Sequence, residues 1–314
     1  MVIETQTLDE AALDRGRRAL MRGWSTTENA EPPILLTRAK GVYVYDRDGN
    51  EYLDCTSQAW SNNIGAGHPR VLAAAAAQAE QIAHARSNYD SIPLLLLSDR
   101  LVRLAPAGLT KVAYSLHGST AVEMAVKLAA KNRPNAGPLL TLRDGYHGRT
   151  MTGMAASWPH THNQFGPLMP KVVRVPGPNP YRPPAGIAES ALAEHYAEVL
   201  HDTIRRGVDG VPLALLMEPI QGNGGHIVFP REYYQLVRRI CDEEGVLLIW
   251  DEIQTGFGRA GAWWAADLFD VTPDILVFGK AMAGGFPLAG VLAREELVGF
   301  DTADESLTFA QWPV

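Results

Sequence analysis

Two stretches decide the fold: Leu247–Trp264, LLIWDEIQTGFGRAGAWW, and Asp274–Gly290, DILVFGKAMAGGFPLAG. In each, four apolar residues run without alternation. A continuous apolar run bounded by turn residues reads as a strand buried on both faces. The first run ends on Asp251. The second ends on Gly279 and Lys280, with Gly284 and Gly285 close behind. A carboxylate and a lysine at the ends of two core strands are costly to bury unless something pairs with them.

Working outward, the same strand signature recurs between helices. VAYSL (112–116) leads into TAVEMAVKLAAK, which has helical spacing. Strands are expected at 138–143, 171–175, 213–218, 246–251 and 274–279. Helical patterns cover RVLAAAAAQAEQIAHA, PLLLLSDRLVRLA, ESALAEHYAEVLHDTIRR and REYYQLVRRICDEEG. Alternation of this kind predicts an α/β fold, a mainly parallel sheet with helices on both faces. Ligands of such sheets sit at the carboxyl ends of the strands, where Asp251 and Lys280 both fall. Around residues 35–55 the pattern differs: alternating residues flank an RDGN turn, which reads as an antiparallel hairpin in a small N-terminal subdomain. The expected division is 1–70 for the N-terminal segment and hairpin, and 71–310 for the large domain. GPNPYRPPAG (177–186) reads as a surface loop.

At 314 residues, 46% of them hydrophobic, the chain can bury a large core. A net charge of −7 argues against nucleic acid or an anionic membrane as partner. No run of about 18 apolar residues is present to span a membrane. The first 24 residues lack a signal-peptide core and read as a surface helix. Cys55 and Cys241 suggest neither a disulfide framework nor a metal knuckle, so a cytoplasmic location is expected.

Four further motifs cluster on expected strand ends. HGSTAVEMAVKLA joins a strand to a helix through Gly118, Ser119 and Thr120, where free N–H groups and the helix dipole suit a phosphate. The same residues are also an ordinary N-cap. GYHGRT (145–150) offers Tyr146 for stacking and Arg149 for a carboxylate, or simply a glycine turn with a solvated arginine. MEPIQGNGG (217–225) ends a strand on Glu218, which can equally be structural, accepting from loop N–H groups. In DEIQTGFGR, adjacent acids suggest one buried and one exposed, with Asp251 the buried one; a metal site there lacks histidines at suitable spacing. Lys280 itself reads either as a desolvated, nucleophilic amine or as a snorkelling surface lysine.

One cofactor reconciles the buried acid with the buried amine. Pyridoxal 5′-phosphate offers an aldehyde for a lysine Schiff base and a pyridine nitrogen for a carboxylate. Together YLDCTSQAWSNNIGAGHPRV, HGSTAVEMAVKLA, GYHGRT, EPIQGNGG, DEIQTGFGR, FGKAMAGGFPL and SLTF resemble the class III (ornithine/GABA-type) aminotransferases of pyridoxal-phosphate fold type I, over nearly the whole chain.

The resemblance implies roles. Lys280 would form the Schiff base and shuttle the proton, and Asp251 would pair with the pyridinium nitrogen. Gln254 would bond the phenolic oxygen, Tyr146 would stack on the ring, and Gly118 and Ser119 would bind the phosphate. Glu218 would support Asp251. Thr308 would reach the neighbouring subunit's phosphate in a homodimer. The implied reaction passes an amino group from an amine donor to a keto or aldehyde acceptor in a ping-pong scheme. An epimerase, racemase or aminomutase on the same scaffold stays open, as does a non-catalytic homologue.

Three features depart from the family pattern. Asn223 stands where the family usually has Glu, which puts the usual dual-substrate switch in doubt. Thr120 replaces an acidic residue common after the phosphate loop. The sequence stops at Val314, so the family's C-terminal small domain is expected to be missing from it. Trp60 and the polar run WPHTHNQ (158–164) would fit a bulky or polar amine, such as an amino sugar.

Overall fold

Describing residues 9–21, 34–85, 89–158, 171–297 and 312–313, the computed structural model begins with helix α1 (Glu10–Ala19), none of whose residues is buried. A small antiparallel sheet follows: β1 (Leu36–Lys40), β2 (Tyr43–Asp46) and β3 (Glu51–Leu53), in the order β1-β2-β3. The expected hairpin is therefore three-stranded. The RDGN turn joins β2 to β3, where Asp46 accepts from the Asn50 amide at 2.9 Å.

Next come the single turn α2 (Ser57–Trp60), α3 (Pro69–Gln81), the two-residue strand β4 (His84–Ala85) and α4 (Ile92–Leu104). The large unit then alternates through β5 (Leu109–Ser115), α5 (Gly118–Asn132), β6 (Leu139–Leu142), α6 (Met151–Ala156), β7 (Val172–Val175) and α7 (Leu192–Arg206). It continues with β8 (Ala214–Met217), the short pair β9 (Ile220–Gln221) and β10 (Ile227–Val228), α8 (Arg231–Glu244), β11 (Leu247–Asp251), α9 (Ala265–Phe269), β12 (Ile275–Phe278) and β13 (Ala289–Arg294). β14 (Trp312–Pro313) pairs antiparallel with β4.

Seven strands form the central sheet in the order β5-β13-β12-β11-β8-β6-β7. All neighbours are parallel except β13, which runs antiparallel to both β12 and β5. The sequence pattern does not reveal β13, because the Gly284–Pro287 turn before it leaves AGVLAR too short a run to assign. Every residue of β6, β8, β11 and β12 is buried, as expected of strands covered on both faces.

Two core layers cover the sheet. On one face α5 lays down Ala121, Val122, Met124, Ala125, Leu128 and Ala129 at helical spacing, against Leu216, Ile249 and Val277. On the other, Leu200 and Ile204 of α7 and Tyr233, Tyr234 and Val237 of α8 pack with Leu248, Trp250 and Leu276. Burying each such side chain contributes roughly 1.5–3 kcal/mol. Six of the seven strands run in one direction, and β5, β6, β8, β11 and β12 bring their carboxyl ends to one edge.

Candidate active site

Five strand ends build one cavity of about 180 Å³, lined among others by Gly118, Ser119, Tyr146, His147, Glu218, Asp251, Gln254 and Lys280. β5 delivers His117 and the start of α5. The first amides of any α-helix lack an intrahelical acceptor, and here Gly118 and Ser119, at the start of α5, line the cavity. The close approach behind them demands glycine. A Cβ on Gly148, at φ +106°, would meet Ser119 Oγ at 2.4 Å. Ser119 Oγ in turn accepts the Arg149 amide at 3.2 Å.

β8 delivers Glu218, which ties two loops together. It accepts the Tyr146 amide at 2.8 Å and the Gly222 amide at 3.0 Å. Burial, reinforced by the charge of Asp251, pushes its carboxyl up to about 7; His147 and the two amides pull the other way. Gly222 sits against Gln254, where a Cβ would lie 2.5 Å from Nε2.

β11 delivers Asp251, which is 4% exposed. Its Oδ1 accepts the Ile253 amide at 3.2 Å and its Oδ2 faces His147 Nδ1 at 2.9 Å. β12 delivers Lys280 at φ +44°, a left-handed conformation that lysine rarely adopts. Its Nζ donates to Gln254 Oε1 at 2.7 Å. No carboxylate lies within hydrogen-bond reach of it among the described residues. Desolvation holds its pKa below the usual lysine value, with the Arg259 charge acting in the same sense and Asp251 and Glu218 opposing.

The residues singled out from sequence divide clearly. Gly118, Ser119, Tyr146, Glu218, Asp251, Gln254 and Lys280 share the cavity. Trp60, from the N-terminal segment, does not line the cavity itself, but its ring centroid lies 5.0 Å from Lys280 Nζ. Arg149 is exposed at the rim, donating from Nε to the Tyr146 hydroxyl at 3.3 Å. Asn223 is not brought in: it is exposed on the turn between β9 and β10. Thr308 and residues 159–164 of the polar run lie outside the described residues.

Two residues escape the sequence reading. Glu252, expected to be exposed, is fully buried. It accepts from the Ala265 and Ala266 amides at 2.7 and 2.9 Å and from Thr255 Oγ1 at 2.9 Å, so three donors replace the water a surface acid would have. His147, passed over between Tyr146 and Arg149, is 1% exposed and bonds Asp251, while its Nε2 has no partner. Its loop position was visible in the sequence; its pairing with a residue 104 positions away was not.

A buried acid, a half-buried amine held only by an amide, a helix N-terminus and an aromatic side chain fit pyridoxal phosphate. A metal fits poorly: no cluster of three or more metal-ligating side chains occurs among the described residues.

Comparison with known proteins agrees with this geometry. The family model described as "Aminotransferase class-III" matches residues 25–314. The chain is 34% identical to an alanine/serine racemase of Pyrococcus horikoshii, over 90% of this chain and 61% of that protein. It is 35% identical to a probable 4-aminobutyrate aminotransferase of Bacillus subtilis, over 84% of this chain and 62% of the relative. A solved (S)-enantioselective omega-transaminase from Thermomicrobium roseum superposes with a TM-score of 0.84 at 31% identity, covering 93% of this chain and 67% of the other. The chain thus spans about three fifths of the length of these curated relatives.

Proposed function

Because the chain belongs to the class-III aminotransferase family, whose cofactor is pyridoxal 5′-phosphate, we propose that it works as a transaminase with Lys280 as its reactive amine. It would move an amino group from an amine or amino acid donor to a keto or aldehyde acceptor. One observation carries this reading above the others: Lys280 and Asp251 share a small cavity at the strand ends, and the lysine there has only a neutral hydrogen-bond partner.

When bound, the cofactor supplies an electron sink for the carbon that bears the amine. The chain supplies the rest. Gly118 and Ser119 N–H groups would hold the phosphate, with the α5 dipole behind them. Asp251 would accept the pyridine N–H, steadied by His147. Gln254 would donate to the phenolic oxygen, and Tyr146 would lie against the ring. Lys280, with its proton affinity lowered by desolvation, would take the substrate's proton and return it. Glu218 fixes the Tyr146 and Gly222 loops around them. Arg149 at the rim suits a substrate carboxylate, and Trp60 bounds the substrate space. Asn223, on its exposed turn, would meet a substrate only at the outer mouth.

A homodimer is part of this reading, with Thr308 reaching the neighbouring site. Ile92, Leu95 and Leu96, one helical face of α4, are 76%, 52% and 64% exposed, an apolar surface that a second copy would cover. We assign 1–70 to a small domain, supported by the separate β1–β3 sheet, and 71–310 to the large one. No helix among the described residues is long and apolar enough to cross a membrane. Two free cysteines support a cytoplasmic setting.

The racemase relative favours a second reading on the same residues, with proton return to the opposite face. An absorbance titration separates the two. The protein is loaded with pyridoxal phosphate and mixed with a panel of amines, then with keto acids. Transamination bleaches the visible band and a keto acid restores it. A band that persists while one amino acid enantiomer converts to the other supports racemisation.

A further inference from the structure

The turn that carries Trp60 is left-handed throughout. Ser57, Gln58, Ala59 and Trp60 have φ of +48°, +52°, +57° and +65°. Four consecutive L residues avoid this conformation unless their surroundings over-determine it. The surroundings do so from both ends. Asp54 accepts from the Thr56 and Gln58 amides at 3.0 and 2.8 Å, and from both of their side chains. Beyond the turn, Asn63 Nδ2 donates to the Phe257 carbonyl at 3.0 Å, and Arg259 donates to Asn63 Oδ1 and to the Trp60 carbonyl. Phe257 and Arg259 belong to the loop that begins with Asp251 and Gln254. These residues also line an open hollow of about 440 Å³, so packing from that side does not hold the turn.

We infer that Asn63 and Arg259 are positioning residues: they clamp a strained left-handed turn so that the Trp60 indole stays over Lys280 Nζ, and thereby limit the size of the amine that reaches the lysine. This rests on the reading of Lys280 as the reactive amine. The clamp joins two segments about 196 positions apart, and it contacts Trp60 through the backbone carbonyl, where a shift turns the whole ring. A substituent on the reacting carbon must lie beside that ring. Size discrimination is therefore set by the turn's geometry as much as by the indole itself.

The test uses full-length protein loaded with pyridoxal phosphate. The rate of band loss is measured with L-alanine and with (S)-1-phenylethylamine. Asn63→Ala and Arg259→Gln should shift the ratio of the two kcat/KM values toward the bulky amine by about tenfold, as one misfitted group in a substrate pocket does. Cofactor affinity should stay as in wild type in both variants, and the band position should stay so in Asn63→Ala, which leaves the Arg259 charge beside Lys280 in place. Arg259→Lys, which keeps a donor, should recover part of the shift. Trp60→Ala should give the same shift, and adding Asn63→Ala to it should add nothing further. Equal scaling of both amines, or additive effects in the double variant, overturns the clamp. If neither amine affects the wild-type band, the transaminase reading fails on its own. Amide exchange then decides the clamp: faster exchange at Ser61 and Asn62 in Arg259→Gln supports it, and unchanged exchange overturns it.

Discussion

His147 donates Nδ1–H to Asp251 Oδ2 across 2.9 Å, with both side chains shut off from water. The bond fixes the ring's orientation and leaves the buried Nε2 without a hydrogen-bond partner. With Oδ1 accepting the Ile253 amide as well, Asp251 has both oxygens engaged by the protein and its carboxyl plane fixed. A carboxylate that must face a pyridine nitrogen needs such orientation, because apolar walls alone would let it rotate. His147→Leu should lower kcat by about 10- to 100-fold with the fold intact, since a buried hydrogen bond to a charged group contributes about 1.5–3 kcal/mol. Rapid-mixing measurement of the amine half-reaction checks this. Unchanged kcat would reduce His147 to a packing residue.

In the proposed transaminase, Lys280 carries the heaviest chemical load. Lys280→Ala should lower turnover by at least about 10⁴-fold, the upper range for a lost acid–base group. Phosphate contacts at Gly118 and Ser119 should still retain cofactor, now removable by dialysis. Borohydride treatment should fix the cofactor to wild type, with the added mass on the Lys280 peptide, and to no other lysine in the variant. Labelling elsewhere would move the reactive amine off Lys280.

The Gly148–Ser119 contact gives a steric prediction. Gly148→Ala puts a Cβ at 2.4 Å from Ser119 Oγ and forces alanine to φ +106°. The start of α5 must shift, which spoils the N–H groups that would face a phosphate. Cofactor affinity should fall about tenfold or more, equivalent to one lost charge-assisted hydrogen bond. Fluorescence titration of the apoprotein with pyridoxal phosphate measures this. Wild-type affinity would mean that the phosphate lies elsewhere.

The middle of the sheet was legible because β6, β8, β11 and β12 are buried on both faces, so apolar runs marked them. Asp251 and Lys280 stood out for the same reason: each breaks such a run at its carboxyl end. β13 was hidden by its short run beside a Gly-Pro turn, and the left-handed turn at Ser57–Trp60 by having no glycine to announce it. His147 and Glu252 were illegible for a deeper cause. Their burial depends on donors and acceptors supplied by segments distant in sequence or by the N-terminus of α9, and local pattern carries no record of those.

Glu218 makes stability depend on pH with a definite sign. Its folded value, about 7, lies above the ordinary glutamate value of 4.5 because burial disfavours the charged form. Between these values the native state holds a proton that the unfolded chain releases. This contribution is fully present below about pH 4.5 and is lost as pH rises through 7, by about 3 kcal/mol in all. Glu252, also pushed up to about 7 by burial, acts in the same direction. Urea unfolding of the apoprotein should therefore show midpoints falling from pH 5.5 to 8.5. Glu218→Gln mimics the protonated carboxyl, so it should flatten that slope while other titrating groups cancel in the comparison. An identical slope in wild type and variant would show that the Tyr146 and Gly222 amides, at 2.8 and 3.0 Å, outweigh burial and keep Glu218 ionised.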